Sequence, residues 1–181
     1  MIKIIDNFLD EKDFTELDNH INLPGLCWTH SRKANHFSKD DNAFQFFHVM
    51  IKDWVAKYDD SEKLPSMVVK NYLKTIKKDK VIQVKIVHAK ANLFVRTSNT
   101  PVEMGHHKDI DKPGYHTILL YLQDSNGHTQ FKKTKENVYS KRNRALIFPT
   151  HLEHQTVSAT DVLFRTNLNI NFTFTEEEEV K

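Results

Sequence analysis

The stretch Arg165-Thr166-Asn167-Leu168-Asn169-Ile170-Asn171-Phe172 alternates polar and apolar residues with a period of two. Successive side chains of a β-strand point to opposite faces, so Arg165, Asn167 and Asn169 share one face while Leu168 and Ile170 share the other. A leucine and isoleucine face suits packing on a core. A face of arginine and asparagines is unusual for a buried strand and natural for one that lines a polar pocket.

Other segments repeat this extended pattern. Val81 to Arg96 alternates well enough for a long strand, Thr117 to Leu122 and Ala145 to Phe148 for shorter ones, and Val162 to Phe174 extends the opening stretch. Ser125-Asn126-Gly127 supplies a tight turn before a strand over His128 to Phe131. The first half of the chain reads differently. Ile2, Ile4 and Ile5, followed by Phe8 and Leu9, suggest an opening strand. Asp10 to Ile21 carries Phe14, Leu17 and Ile21 at helical spacing, and a second helix is expected over Pro65 to Lys77 with Met67, Val68, Tyr72 and Leu73 inward. Leu26 to Ser31 and Phe44 to Ile51 read as strands. Helices early and short strands late predict a mostly β chain with flanking helices, a double-stranded β-helix or jelly-roll barrel of the cupin-like kind. A single domain over residues 1–181 is expected, with 1–80 as helical and strand support and 81–175 as the core barrel.

Length and charge set bounds. A chain of 181 residues buries roughly 70 per cent of its unfolded surface, enough for one sizeable core. Cys27 is the only cysteine, so no intramolecular disulfide is available. The segment MIKIIDNFLD is interrupted by Asp6 and Asn7, and no run is apolar and long enough to cross a bilayer. A cytoplasmic protein without a membrane partner is expected. The net charge of +2 is too small to favour a nucleic-acid partner.

Four residues could carry chemistry together. His107 and Asp109 are two apart, which puts them on one face of extended chain, whereas His106 has Lys108 at the equivalent distance. His154 follows after 47 residues, a gap that fits several strands returning across a barrel, and Arg165 comes 11 residues later. His151 is the rival of His154. Two imidazoles and one carboxylate can occupy one face of the octahedron around Fe(II), leaving open positions for a chelating keto acid and oxygen, and a guanidinium can grip a distant carboxylate.

The stretch from Lys90 to Phe174 resembles the Fe(II)/2-oxoglutarate-dependent oxygenases, in particular their prolyl-4-hydroxylase-like branch and small bacteriophage members. The segments that carry the resemblance are KANLFVRT (90–97), HKD (107–109), HTILLYLQ (116–123), NGHTQF (126–131), NRALIFP (143–149), HQT (154–156) and RTNLNINF (165–172). The resemblance implies His107, Asp109 and His154 as iron ligands, Arg165 as the partner of the C5 carboxylate of 2-oxoglutarate, and Tyr121 as a hydroxyl donor to that same end. Asn167, where the family often has Ser, is a weaker cosubstrate candidate. Phe94 stands where prolyl hydroxylases often have a hydrogen-bonding Tyr, a polar role that Asn92 or Lys90 could take over. The implied cofactors are Fe(II), 2-oxoglutarate and O2, with ascorbate as a candidate accessory. Because Asp109 is retained, where halogenating relatives lack the carboxylate, the implied reaction is hydroxylation or a related oxidation of a C–H bond, with release of succinate and CO2. A peptidyl proline is the first candidate substrate, ahead of a free amino acid, another protein side chain or a nucleobase. The loop Arg96 to Met104 is the first candidate for substrate contact. Three other readings use the same residues: a nucleic-acid demethylase on this scaffold, a cupin-like metal-binding module without activity, and a structural jelly roll of a virion.

Overall fold

The computed structural model describes residues 1–34, 42–53, 55–57, 61–76 and 82–176. The elements along the chain are β1 (Lys3–Ile5), α1 (Glu11–Ile21), β2 (Thr29–Ser31), β3 (Gln45–Lys52), β4 (Val55–Ala56), α2 (Lys63–Thr75), β5 (Ile82–Val95), β6 (Tyr115–Tyr121), β7 (His128–Phe131), β8 (Asn137–Tyr139), β9 (Arg144–Pro149), β10 (His154–Val157) and β11 (Phe164–Glu176). Lys77 and Val81, where the expected second helix ends and the long strand starts, lie outside the described residues.

Two antiparallel sheets face each other. The larger runs β1-β9-β6-β11-β5-β3-β2, with β4 beside β3, and the smaller runs β10-β7-β8. This is a double-stranded β-helix, as the strand pattern predicts. The long pair β5 and β11 forms its spine, in register from Phe164 opposite Val95 to Glu176 opposite Ile82, with one bulge at Asn171/Phe172. The larger sheet draws on both halves of the chain, since β1 pairs with β9 and β3 pairs with β5.

Alternation decides what each face of that sheet meets. Leu168, Ile170 and Phe172 of β11 and Ala89 and Ala91 of β5 join Phe14, Leu17 and Ile21 of α1 and Val68, Val69 and Tyr72 of α2 in the main core. Asp10 caps α1 by accepting a 2.8 Å hydrogen bond from the Asp13 N–H, which satisfies one of the amides that a helix start leaves open. On the other face, Leu119, Tyr121, Leu146 and Phe148 meet Phe131 and Val138 of the smaller sheet. Between these apolar patches the inner face turns polar at the residues discussed below.

Ser125-Asn126-Gly127 leads into β7 as expected, and there it carries the chain from one sheet to the other, since β7 pairs with β8 and β10. Other local expectations differ from the structure. Leu26 to Trp28 is not part of β2, which starts at Thr29. Strands β8 and β10, of 3 and 4 residues, are too short to show a period in sequence. The segment containing His107 and Asp109 is not a regular strand; it touches the smaller sheet through isolated bridges at Glu103/Val157 and His107/His154.

Candidate active site

His107, Asp109 and His154 converge, their ligand atoms all lying within 4.8 Å of one another. The His107/His154 bridge positions two of them, through reciprocal backbone hydrogen bonds of 2.9 Å, while the Asp109 N–H reaches the Thr150 carbonyl at 3.1 Å. Each imidazole turns Nδ1 to a carbonyl of its own segment, His107 to Gly105 at 3.3 Å and His154 to Leu152 at 2.9 Å. That contact leaves Nε2 of each ring facing Asp109 Oδ1, at 3.5 Å and 3.8 Å. A carbonyl on Nδ1 orients each ring so that Nε2 is the nitrogen presented to a metal, which would take the place of any proton shared with Asp109. His151 is exposed and outside this group.

Asp109 divides its work between its two oxygens. Oδ1 faces the imidazoles, whereas Oδ2 accepts hydrogen bonds from Thr117 Oγ1 at 2.8 Å, Asn171 Nδ2 at 3.0 Å and Asn169 Nδ2 at 3.4 Å. Asn171 also donates to Thr117 Oγ1 at 3.0 Å, which closes the cluster. Burial pushes the Asp109 carboxyl up, but the His107 hydrogen bond, the charges of His154 and His107 and the Thr117 hydrogen bond outweigh it and hold the group well below the usual carboxylate range. Burial lowers the His154 pKa, against the attraction of Asp109. An anionic carboxylate and a neutral imidazole are the states that a divalent cation requires. The donor set therefore fits such an ion.

Arg165 is 1% exposed, and none of its Nε, Nη1 and Nη2 atoms has a hydrogen-bond partner among the described residues. Its guanidinium carbon stands 5.2 Å from the centre of the Phe94 ring, which offers the cation an aromatic face. Gly127 makes room for it: a Cβ there would meet Arg165 Nε and the Ala159 backbone nitrogen at 3.0 Å each. Burial lowers the Arg165 pKa. A buried guanidinium with three unpaired nitrogens fits a carboxylate that arrives with a ligand.

The structure places the remaining candidates as follows. Tyr121 is fully buried, and its hydroxyl donates to Thr129 Oγ1 at 2.7 Å and approaches the Val138 carbonyl at 3.3 Å. A phenol has one proton, so the donor role expected of Tyr121 is already spent on Thr129. Thr129, having accepted that bond, keeps its own hydroxyl proton and lines the central cavity. Asn92 donates to Asn167 Oδ1 at 2.9 Å, leaving its own Oδ1 unpartnered. Asn92, Asn167, Lys90, Phe94, His107 and His154 all line a cavity of about 40 Å³. A larger groove of about 970 Å³ between α2 and the far ends of β5 and β11 contains none of these residues. Within the expected Arg96–Met104 substrate loop, Val102 and Met104 are buried and the Met104 N–H bonds the Thr156 carbonyl at 2.9 Å, so its last part is a rung on the smaller sheet.

Thr117, Asn171, Thr129 and Gly127 were not singled out by sequence. Asn171 was within reach, since it continues the polar alternation of Arg165, Asn167 and Asn169; the other three acquire their roles through contacts that span 8 to 38 residues of chain and leave no local trace.

Among solved structures, an oxidoreductase of the 2OG-Fe(II) oxygenase family from Burkholderia pseudomallei superposes with a TM-score of 0.69 at 11% identity, covering 95% of this chain and 84% of that one. The fold is that of the Fe(II)/2-oxoglutarate oxygenases. Viral collagen prolyl hydroxylase from Paramecium bursaria Chlorella virus-1, in complex with 2-oxoglutarate, shares this oxygenase fold with a TM-score of 0.59 at 16% identity over 94% of both chains. Prolyl hydroxylase from Trichoplax adhaerens, in complex with a hypoxia inducible factor peptide, does so with a TM-score of 0.60 at 14% identity, covering 97% of this chain and 83% of that one. No family model and no curated protein matches the sequence. Among the described residues, no helix is long and apolar enough to cross a membrane.

Proposed function

We propose that this protein is an Fe(II)- and 2-oxoglutarate-dependent dioxygenase that hydroxylates an unactivated C–H bond. The observation that carries the reading is the unpaired, buried Arg165 guanidinium, on the same face of β11 as the asparagines that hold Asp109. A buried charge without a partner costs several kcal/mol, so its retention beside a His-Asp-His group argues for a carboxylate ligand. His107, Asp109 and His154 would hold the iron, and Arg165 the C5 carboxylate of 2-oxoglutarate. The bound metal and keto acid would supply oxygen activation coupled to decarboxylation, with succinate and CO2 as products.

The chain's own contribution is positional. The carbonyls on Nδ1 of His107 and His154 fix ring orientation, and the three donors on Asp109 Oδ2 keep Oδ1 turned to the metal position. Phe94 stacks on Arg165 and limits its rotamers, while the Thr129 hydroxyl, held by Tyr121, presents a donor to the cavity. Leu119, Phe94 and Met104 line the same space and restrict water. Met104, an unbranched and flexible side chain on the cavity wall, can adapt its shape to a bound diacid. A peptidyl proline is the first substrate to test, supported by the prolyl hydroxylases among the similar folds.

The test is conversion of 2-oxoglutarate to succinate by the purified protein, with Fe(II) and oxygen, across a panel of proline-containing peptides and free amino acids. Iron- and oxygen-dependent succinate that disappears in Asp109→Ala is expected. Equal turnover in the variant would refute the ligand assignment, and none in the wild type would leave a binding module in place of an enzyme.

A further inference from the structure

One cation in the cavity has no part in that scheme. Lys90 lies on the inner face of β5, where the ladder sets Phe94 opposite Arg165, Asn92 opposite Asn167 and Lys90 opposite Asn169. It therefore stands at the metal end of the row that begins with Arg165, and it lines the cavity with His107 and His154. Lysines ordinarily extend their ammonium to water. Lys90 instead makes no hydrogen bond or ion pair with any described residue. Burial lowers its pKa, and among the described residues Asp109 is the carboxylate that counters this. Yet Asp109 is fully engaged, with Oδ2 held by Thr117, Asn171 and Asn169 and Oδ1 turned to the two imidazoles.

A charge inventory of the loaded site points to what is missing. The two positive charges of the metal and the one of Arg165 are balanced by Asp109 and by the two carboxylates of 2-oxoglutarate. Lys90 adds one positive charge with no counterpart among the described residues. The group that compensates it must come from the remaining ligand. We propose that Lys90 is the seat for a carboxylate of the primary substrate, so that the molecule oxidised is an acid. A single ammonium without a second cation beside it suits a monoanion, which favours a carboxylate over a phosphate dianion. The carrier is a free amino acid, through its α-carboxylate, or a peptide with an acidic side chain close to the reacting carbon.

This inference rests on the proposed oxygenase function, and its test separates the two. The Mn(II)-loaded protein, saturated with 2-oxoglutarate under nitrogen, is titrated calorimetrically with matched pairs: free L-amino acids against their carboxamides, and glutamyl-prolyl against glutaminyl-prolyl peptides. At least one acid is expected to bind about tenfold or more tightly than its amide. Lys90→Met, which keeps the stem and removes the charge, is expected to shrink that gap to about twofold or less, and Lys90→Arg to keep it, with 2-oxoglutarate affinity of both variants within about threefold of wild type. If no acid is preferred over its amide, or if the preference survives Lys90→Met, the proposal falls. A loss of 2-oxoglutarate affinity of about tenfold or more in Lys90→Met also overturns it, by assigning the ammonium to the cosubstrate. A wild-type protein that binds no 2-oxoglutarate overturns the underlying function as well.

Discussion

Arg165 and Asp109 show how differently two buried charges can be treated. Asp109 is surrounded by donors, whereas Arg165 has no acceptor among the described residues, so the first is stabilised by its surroundings and the second is a cost that the fold carries. A buried ion without a partner carries a desolvation cost of several kcal/mol, which an apolar side chain of similar volume removes. Arg165→Met is therefore expected to melt at or above the wild-type temperature without ligands, while its 2-oxoglutarate affinity in the Mn(II)-loaded state drops by about 100-fold or more. Thermal melts with and without 2-oxoglutarate check both parts, and a destabilised variant that still binds would contradict the assignment. Asn171 acts through Asp109. Removing its amide in Asn171→Leu is expected to weaken Mn(II) binding by roughly 10- to 100-fold, the range typical for groups that orient metal ligands. Asn171→Gln, which keeps a donor, should recover part of the loss; unchanged Mn(II) affinity in the leucine variant would show that Thr117 and Asn169 suffice to hold the carboxylate.

At the scale of elements, short pieces are held by side chains where ladders are too brief. Strand β1 has 3 residues, and the chain after it is fastened to the start of β9 by Asp6, which accepts from Arg144 Nε at 2.6 Å and Lys141 Nζ at 2.9 Å. Asn143 adds a reciprocal pair with the Leu9 backbone, at 2.9 Å and 2.8 Å. The hydrogen bonds from Arg144 and Lys141 hold the Asp6 carboxyl well below its ordinary value. A depressed folded-state pKa gives stability that is present above the unfolded value, near pH 4, and is lost as pH falls toward the folded one. Asp6 is 36% exposed, so solvent screening keeps the contribution under about 1 kcal/mol. Asp6→Asn is expected to lower the melting temperature slightly at pH 7 and to flatten its decline below about pH 4, as acid titration followed by circular dichroism would show; parallel wild-type and variant curves would mean that the pairs contribute nothing. The long elements needed no such fastening and were legible in sequence. Residues 82–95 and 164–176 alternate over enough positions to declare their faces, and α1 shows its apolar stripe of Phe14, Leu17 and Ile21. Strand β10 gives no such sign in its 4 residues, although it carries His154.

For the whole molecule, the division between sequence and tertiary structure follows the range of the forces involved. Periodicity is local, so the chain alone determined the β-rich class, the two helices and the two faces of β11, with Arg165, Asn167 and Asn169 opposite Leu168 and Ile170. Residue chemistry also marked His107, Asp109, His154 and Arg165 as able to act together, because imidazole, carboxylate and guanidinium are the groups that metal and carboxylate binding require. Only tertiary structure decided which oxygen of Asp109 faces the imidazoles, that Tyr121 spends its proton on Thr129, that Gly127 yields space to Arg165, and that Lys90 has no partner among the described residues. Those outcomes depend on contacts between strands brought together by two facing sheets, and hydrogen bonds and buried charges are settled by neighbours within a few ångströms in space, however distant along the chain.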